Sequence, residues 1–371
     1  MRIGFVVTNL AGGGAEKAVL NIAAALAARG HDSDVILLEN IVSHALPPSV
    51  RLRTSTLAGR SISKGWLGKR LAARRLAQLH ALLERERPFD LLVSTLPFAD
   101  EVARRACLPR HWCRIANTLS AEIARLSATR PAKSARRLAR YRRLYEGRPL
   151  IAVSPGVALD LRKDIGLEHA RIDVIPNPFD FERLRALSRE ATALPAKAYI
   201  IHVGRFSAQK RHDILLDAYR KLWPLQRLVL LTKADPALGA MIEARGLAER
   251  VIVAGFQGNP YPWMEAADLL VLCSDHEGLP NVLIEALALG TPVVSTDCPS
   301  GPREILGAEF PGALVPVGDA DALAGAMRAA LANPPDPSRL DLGRYGVDVV
   351  AARYEMLAAG GADASARTPA C

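Results

Sequence analysis

The sequence predicts an α/β chain built from two parallel sheets. Three observations carry that reading. Short apolar runs of strand length alternate with segments of helical apolar spacing through the first half. The alternation breaks once, at a proline-bracketed stretch followed by polar residues up to Pro195. It then restarts with five further strand candidates. Strands that alternate with helices pair in parallel, with helices on both faces. At 371 residues, half of them hydrophobic, the chain is long for one domain and can bury two cores.

The opening reads as a strand, a turn, a helix and a strand. IGFVV (3–7) is a short buried strand and GGG (12–14) a turn. Residues 15–29 carry helical apolar spacing, Gly30 stops the helix, and DVILL (34–38) is the next strand. DLLVST (90–95), WCRIAN (112–117) and PLIAVS (149–154) continue the series. Residues 64–87 and 132–145 form basic amphipathic helices. In the second, Lys133, Arg136, Arg137, Arg140 and Arg143 recur at spacings of three and four and so share a face. DVIPNPFDFERL (173–184), with prolines on both sides of Asn177, marks the boundary. Beyond it AYIIHVGR (198–205), RLVLLT (227–232), RVIVAG (250–255), DLLVLCS (268–274) and PVVSTD (292–297) supply the second sheet. ALAGAMRAALA (322–332) closes it, and 343–358 adds one more helix. The expected divisions are 1–175, 176–340, a last helix over 341–358, and a disordered tail over 359–371 whose composition gives no core.

The net charge of +10 is unevenly spread. Residues 51–148 hold 23 basic and 7 acidic side chains, which leaves 25 basic and 31 acidic for the rest. Such asymmetry points to an anionic partner for the first half, or to a solvated Arg-rich surface. A nucleic acid is not expected, because no binding motif or aromatic platform accompanies the charge. No apolar run reaches 18 residues, and the start does not read as a signal peptide, so a cytoplasmic protein is expected. The five cysteines form no CxxC pair and no His cluster joins them, so neither a disulfide framework nor a metal site is expected.

Three motifs carry chemistry. NLAGGGAEKAV (9–19) is a Gly-rich turn between a strand and a helix. It suits either a phosphate at the helix N-terminus or a plain tight turn, and it lacks the dinucleotide and P-loop spacings. HVGRFSAQKRHD (202–213) places Arg205 and Lys210 where two cations can clamp a diphosphate, a forked donor beside a mobile point charge. SDHEGLPNVLIEALALGTPVV (274–294) puts Glu277 before a helix and Glu285 within it, among Leu283, Ile284 and Leu287. A carboxylate in that company is costly to bury unless paired, and it is able to accept hydrogen bonds from two adjacent hydroxyls such as those of a ribose. Glu277 lies after a strand, where ligands bind in open α/β sheets.

Two glutamates seven residues apart within EGLPNVLIEALALGTPVV resemble the signature of retaining glycosyltransferase family 4. Arg205 and Lys210, Asn177 in IPNPFD and the early GGG fall in the order that family shows. The resemblance spans nearly the whole chain and is strongest over 170–335. The segments GFQGNPYPWMEAADLLVLCSDHEGLPN and STDCPSGPREIL are most similar to bacterial enzymes that build surface polysaccharides and lipid-linked glycans. The resemblance implies a GT-B fold: two Rossmann-like domains facing a cleft, with the last helix crossing back to the first. It implies a nucleotide-sugar donor, of uridine type by preference, and a glycan or lipid-linked acceptor.

Residue by residue, the resemblance implies that Arg205 and Lys210 hold the diphosphate, Glu285 the ribose and Glu277 the donor sugar. Gly13 and Gly14 approach the phosphate, Phe256 lines the base, and Gly278, Pro280, Asn281 and Val282 offer helix amides. Many relatives carry a His or Asp on a first-domain loop; here Asn117 and Ser120 stand there, and His111 is read as opening a strand. No DxD motif or other metal-ligand cluster stands out, so transfer is expected to need neither metal nor cofactor. Arg205, Lys210 and Glu277 are the expected catalytic groups. An epimerase of the same architecture and a non-catalytic nucleotide-sugar-binding membrane subunit are the competing readings. Docking on the anionic inner-membrane surface is expected through Lys133, Arg136, Arg137, Arg140 and Arg143, with Lys69, Arg70, Arg74 and Arg75 second.

Overall fold

The computed structural model describes residues 1–11, 13–43, 46–56, 61–63, 65–195, 198–223 and 225–360. The chain divides into two compact units. The first is Met1–Pro178 together with the chain from Arg344 on, and the second is Phe179–Gly343.

The first unit opens with β1 (Arg2–Val7), α1 (Gly14–Ala28), β2 (Asp32–Leu37), β3 (Arg51–Thr54) and α2 (Trp66–Glu86). It continues with β4 (Leu91–Thr95), α3 (Pro97–Arg105), β5 (His111–Ile115), α4 (Leu119–Ser127) and α5 (Pro131–Tyr145). It ends its main run with β6 (Leu150–Ala152), α6 (Pro155–Lys163) and β7 (Ile172–Val174). The strands form one parallel sheet in the order β3-β2-β1-β4-β5-β6-β7. β1 is buried along its whole length, as an apolar run covered on both faces must be. Its alternate side chains go to opposite layers: Ile3, Phe5 and Val7 meet α1, while Val6 meets α2 and α3.

β3 carries no apolar run, because its Arg-Leu-Arg-Thr alternates charge. What holds it is a buried carboxylate on β2. Asp34 Oδ2 accepts from Arg2 Nε at 2.9 Å and from Arg51 at 3.3 Å, and Oδ1 accepts from Arg53 Nε at 3.2 Å. Burying that carboxylate requires such partners.

The second unit contains α7 (Phe181–Ser188), β8 (Tyr199–Val203), α8 (His212–Leu222), β9 (Arg227–Leu231), α9 (Pro236–Glu243) and β10 (Val251–Val253). Then come α10 (Tyr261–Glu265), β11 (Leu269–Leu272), α11 (Asn281–Ala288), β12 (Val293–Thr296), α12 (Pro302–Leu306), β13 (Leu314–Val315) and α13 (Ala320–Ala332). Its sheet is parallel in the order β10-β9-β8-β11-β12-β13. The chain then returns. α14 (Val347–Gly360) buries Val350, Ala351, Tyr354 and Leu357 against α1 in the first unit's core, and Arg29 Nε donates to Glu355 at 2.6 Å. The last helix thus starts four residues later than the expected 343, because Gly343–Tyr345 forms a separate 3₁₀ turn. Ala359 and Gly360, expected in the tail over 359–371, instead close α14, and 361–371 lie outside the described residues.

The cations of α5 do not act as one face. Tyr141, Leu144 and Tyr145 form its buried side. Arg137 pairs with Glu122 of α4, and Arg140 Nη2 donates to Glu101 of α3 at 2.7 Å. Lys133, Arg136 and Arg143 remain exposed. Helical spacing shows which residues share a face, but it does not show the carboxylates on neighbouring helices. Among the described residues no helix is long and apolar enough to cross a membrane.

Candidate functional site

In the second sheet β9 and β10 lie on one side of β8, and β11 and the later strands lie on the other. The strand order therefore reverses between β8 and β11, and loops leaving the carboxyl ends of these two strands diverge. Open α/β sheets bind ligands at such a point. The loop after β8 carries Arg205 and Lys210; the loop after β11 carries Glu277 and runs into α11 with Glu285.

The two loops are stitched together by their backbones. Asp275 N donates to Gln209 O at 2.9 Å, and Gln209 Nε2 donates to His276 O at 2.7 Å. The buried Cys273 thiol donates to Lys210 O at 2.9 Å. Arg211 takes a left-handed φ of 47° where the 3₁₀ turn Ala208–Lys210 meets α8. Its guanidinium grips Asp213 and Asp275, the latter at 2.9 Å, and these hydrogen bonds raise its already high pKa.

The consequence for the charged groups is a short, largely buried ion pair. Lys210 Nζ lies 2.6 Å from Glu277 Oε1, with the side chains 19% and 11% exposed. Glu285 is buried on α11, and Tyr261 of α10 donates its hydroxyl to Oε1 at 3.0 Å. Arg205 is exposed and has no hydrogen bond or ion pair among the described residues. Phe256 is 70% exposed just after Gly255. Gly278, Pro280, Asn281 and Val282 lead into and open α11, with Pro280 as its N-cap. Beneath them Gly301, at φ 96°, passes so close to the Pro280 ring that any Cβ there would collide with it. That loop, from Cys298 to Gly301, brings Pro299 O to Glu277 N at 3.4 Å.

Tyr261 and the Pro299–Gly301 loop were not singled out by sequence reading. Tyr261 stands 24 positions from Glu285, and only the packing of α10 beside α11 joins them. The NPYPWM run that contains it was visible as part of the family resemblance, without a role.

In the first unit the order reverses between β1 and β4, and the glycine-rich turn follows β1. Gly12 lies outside the described residues. Gly13 is the N-cap of α1, and the Glu16 carboxylate folds back over it, into the space a Cβ would need. An acidic group already sits at the positive end of this helix, and Gly14 starts the helix, exposed. Asn117 Oδ1 accepts from Thr118 N at 3.0 Å, and Ser120 N donates to Asp160 of α6. Both serve the start of α4. His111 opens β5 as expected; its Nε2 lies 2.8 Å from Ser94 Oγ, and burial drives its pKa down to about 3. Asn177 accepts from the fully buried Arg114 of β5.

Two more buried histidines support the second-unit site. His202 Nδ1 donates to Val271 O at 2.8 Å, and its ring meets His212 edge-on at 4.8 Å. Burial and the neighbouring Lys210 charge hold His202 well below its usual value and His212 at about 4. A histidine kept neutral by folding gives stability that is complete above the unfolded pKa of about 6.5 and is lost as pH falls towards the folded value. In the first unit, His111 is opposed by Asp100, which burial pushes up to about 7. A raised carboxyl favours folding as pH falls. Between pH 6.5 and 5 the first unit's lowered histidines, His80 and His111, and its raised carboxyls, Asp100 and Asp160, pull in opposite directions, while both lowered histidines of the second unit cost it stability as pH falls. Hydrogen exchange at pH 7 and pH 5 is expected to show the second unit opening more easily at pH 5. Equal protection of both units at the two pH values would contradict this account.

Two parallel-sheet α/β units in one chain, with cations and carboxylates gathered at the switch point of the second, define a protein of the GT-B fold class. Two family models match in tandem: Glycosyltransferase Family 4 over 12–183 and Glycosyl transferases group 1 over 185–348. The chain is a family 4-type glycosyltransferase. It is 33% identical over 180 residues to the N-acetylgalactosamine-N,N'-diacetylbacillosaminyl-diphospho-undecaprenol 4-alpha-N-acetylgalactosaminyltransferase of Campylobacter jejuni, covering 48% of this chain and 49% of that one. It is 31% identical over 184 residues to the lipopolysaccharide 1,6-galactosyltransferase of Escherichia coli, covering 46% and 48%. The matches thus span about half the length of these curated relatives. Among solved structures, sucrose-phosphate synthase from Thermosynechococcus elongatus superposes with a TM-score of 0.71 at 21% identity, covering 98% of each chain. Anabaena HepE in complex with UDP and glucose does so with a TM-score of 0.71 at 20% identity, covering 97% of this chain and all of that one. At these identities the structures establish the GT-B fold alone.

Proposed function

We propose that the chain moves a hexose from a UDP-sugar to a glycan or lipid-linked acceptor, with retention of configuration, in bacterial cell-surface polysaccharide synthesis. The observation that carries the reading is the pairing of Lys210 with Glu277 and of Tyr261 with Glu285 at one switch point. The names of the Campylobacter jejuni and Escherichia coli relatives support the acceptor class, and the UDP complex of Anabaena HepE supports the donor.

In this reading Arg205 and Lys210 hold the diphosphate, Glu285 the ribose hydroxyls, Phe256 the base and Glu277 hydroxyls of the sugar. The acceptor hydroxyl attacks the anomeric carbon on the face the nucleotide leaves. The bond from that carbon to the phosphate oxygen breaks, its electron pair leaves with UDP, and the proton passes to the departing phosphate oxygen. The two cations and the α11 amides stabilise the charge that develops there. The reaction is metal-independent, so EDTA is expected to leave the rate unchanged within about twofold. A strict requirement for magnesium or manganese would remove that part of the mechanism.

The enzyme works at the cytoplasmic face of the inner membrane, where the exposed cations of the first unit meet anionic lipid. The deciding experiment offers a panel of UDP-sugars with undecaprenyl-diphosphate-linked and lipopolysaccharide-core acceptors. Mass spectrometry reads transfer, and NMR of the product reads anomeric configuration. A new sugar formed from donor alone would favour an epimerase. Donor binding with no transfer to any acceptor would leave a non-catalytic subunit.

A further inference from the structure

The N-terminal half of α2, the C-terminal end of α3 and the C-terminal half of α5 enclose a groove of about 900 Å³. Small side chains open it: Ala73 and Ala77 from α2 and Ala106 after α3. Eight of its fifteen lining residues are Lys or Arg. Glu101 is the one carboxylate among the described residues that line it, and three cations already engage it. It takes Lys69 at 2.8 Å, Arg140 at 2.7 Å and Arg105 at 3.1 Å; against the effect of burial, Lys69 and Arg140 hold its pKa down at about 2. Arg70, Arg74, Arg104, Arg143 and Arg148 line the same space with no ion-pair partner among the described residues. Arg148 is half-buried, and burial together with the like charge of Arg104 lowers its pKa. Five guanidinium groups around one concavity, without an ion-pair partner among the described residues, form a site for clustered negative charge.

The groove's edge is apolar. Trp66 lines it and is 58% exposed, and Arg70 lies over its ring at 5.4 Å. Leu67 and Leu71, 73% and 49% exposed, continue the outer face of the same helix. A soluble anion has no use for these groups. An amphiphile does, because aromatic and aliphatic side chains beside arginines are what an interfacial helix offers a bilayer.

We propose that this groove is a defined seat for the phosphate headgroup of an anionic lipid, with Trp66, Leu67 and Leu71 lying against the acyl boundary. The inference rests on the membrane reading above. It replaces a broad basic surface on α5 by a site on three helices, in which α2 is the principal element.

The test is flotation of the full chain with vesicles of phosphatidylcholine alone and of phosphatidylcholine mixed with phosphatidylglycerol. Selective binding to the mixed vesicles is expected. Arg70→Ser with Arg74→Ser, both exposed positions, is expected to weaken it on the order of thirtyfold, the equivalent of about 1 kcal/mol per charge. Arg183→Ser with Arg185→Ser removes the same charge from exposed positions of α7 and is expected to change it by roughly threefold at most. Leu67→Ser with Leu71→Ser, which alters no charge, is expected to weaken binding about tenfold. Equal losses in the two arginine pairs would overturn the defined seat in favour of a diffuse field. Tight binding of inorganic pyrophosphate in the groove without vesicle binding would overturn the lipid assignment. UDP affinity, measured by calorimetry on the same variants, is expected to stay unchanged. Failure of UDP to bind the wild-type chain would therefore count against the transferase reading while leaving vesicle binding to decide this one.

Discussion

Glu285→Ala is expected to lower kcat/KM about a hundredfold or more while the second unit stays folded. The magnitude follows from what the side chain does under the proposed function. α11 buries Leu283, Ile284, Ala286 and Leu287, and Glu285 sits among them at 7% exposure. Tyr261 supplies one hydrogen bond to Oε1. A carboxylate offers about four acceptor positions, so two vicinal ribose hydroxyls can be received beside the tyrosine. Each charge-assisted bond contributes about 1.5–3 kcal/mol, and losing two costs about 3 kcal/mol or more in transition-state binding. Alanine removes both but leaves a site that favours an apolar residue, so the fold survives. Glu285→Gln keeps the shape and one acceptor oxygen, and a loss of about tenfold is expected. The measurements are steady-state kinetics and the thermal transition of each variant. Wild-type kcat/KM in a folded Glu285→Ala protein would end the donor-site assignment.

Sequence and structure divide this site in a particular way. The strands were legible because β1, β4, β8 and β11 are buried on both faces and so read as apolar runs. β3 was not, because Arg51 and Arg53 face a buried Asp34 and break the run. β7 was not, because Ile-Asp-Val is too short to show a pattern. Lys210 and Glu277 were each legible as charged residues in loops after strands. Their contact was not, because they lie 67 positions apart and meet through the adjacency of β8 and β11, and strand order is not written in hydrophobic periodicity. The glycine turn gave away its conformation but not Glu16, whose carboxylate occupies the helix end that a phosphate was expected to claim. The α5 cluster was legible as a face; the pairing of Arg140 with Glu101 and of Arg137 with Glu122 was not, because those carboxylates approach from other helices.

Lys210→Ala and Arg205→Ala are expected to weaken UDP about 10- to 100-fold each and to leave uridine affinity unchanged, because each removes a charge-assisted contact to phosphate and none to the base. The two differ in their effect on the free protein. Arg205 is exposed and unpaired among the described residues, so its loss is a binding effect only, and the melting temperature should not move. Lys210 lies 2.6 Å from Glu277 in a largely buried pair. Removing one member of such a pair leaves the other charge with less compensation, at a cost of about 3 kcal/mol. Lys210→Ala should therefore also destabilise the second unit. Lys210→Ala combined with Glu277→Gln should recover much of that stability, because the buried charge goes with its partner. The combined variant should not recover UDP affinity, because the phosphate still lacks its cation. Calorimetry with UDP and with uridine, beside thermal unfolding of the four proteins, separates the two roles. A double variant that regains UDP affinity together with stability would show that Lys210 acts only by holding Glu277, and the diphosphate clamp would then rest on Arg205 alone.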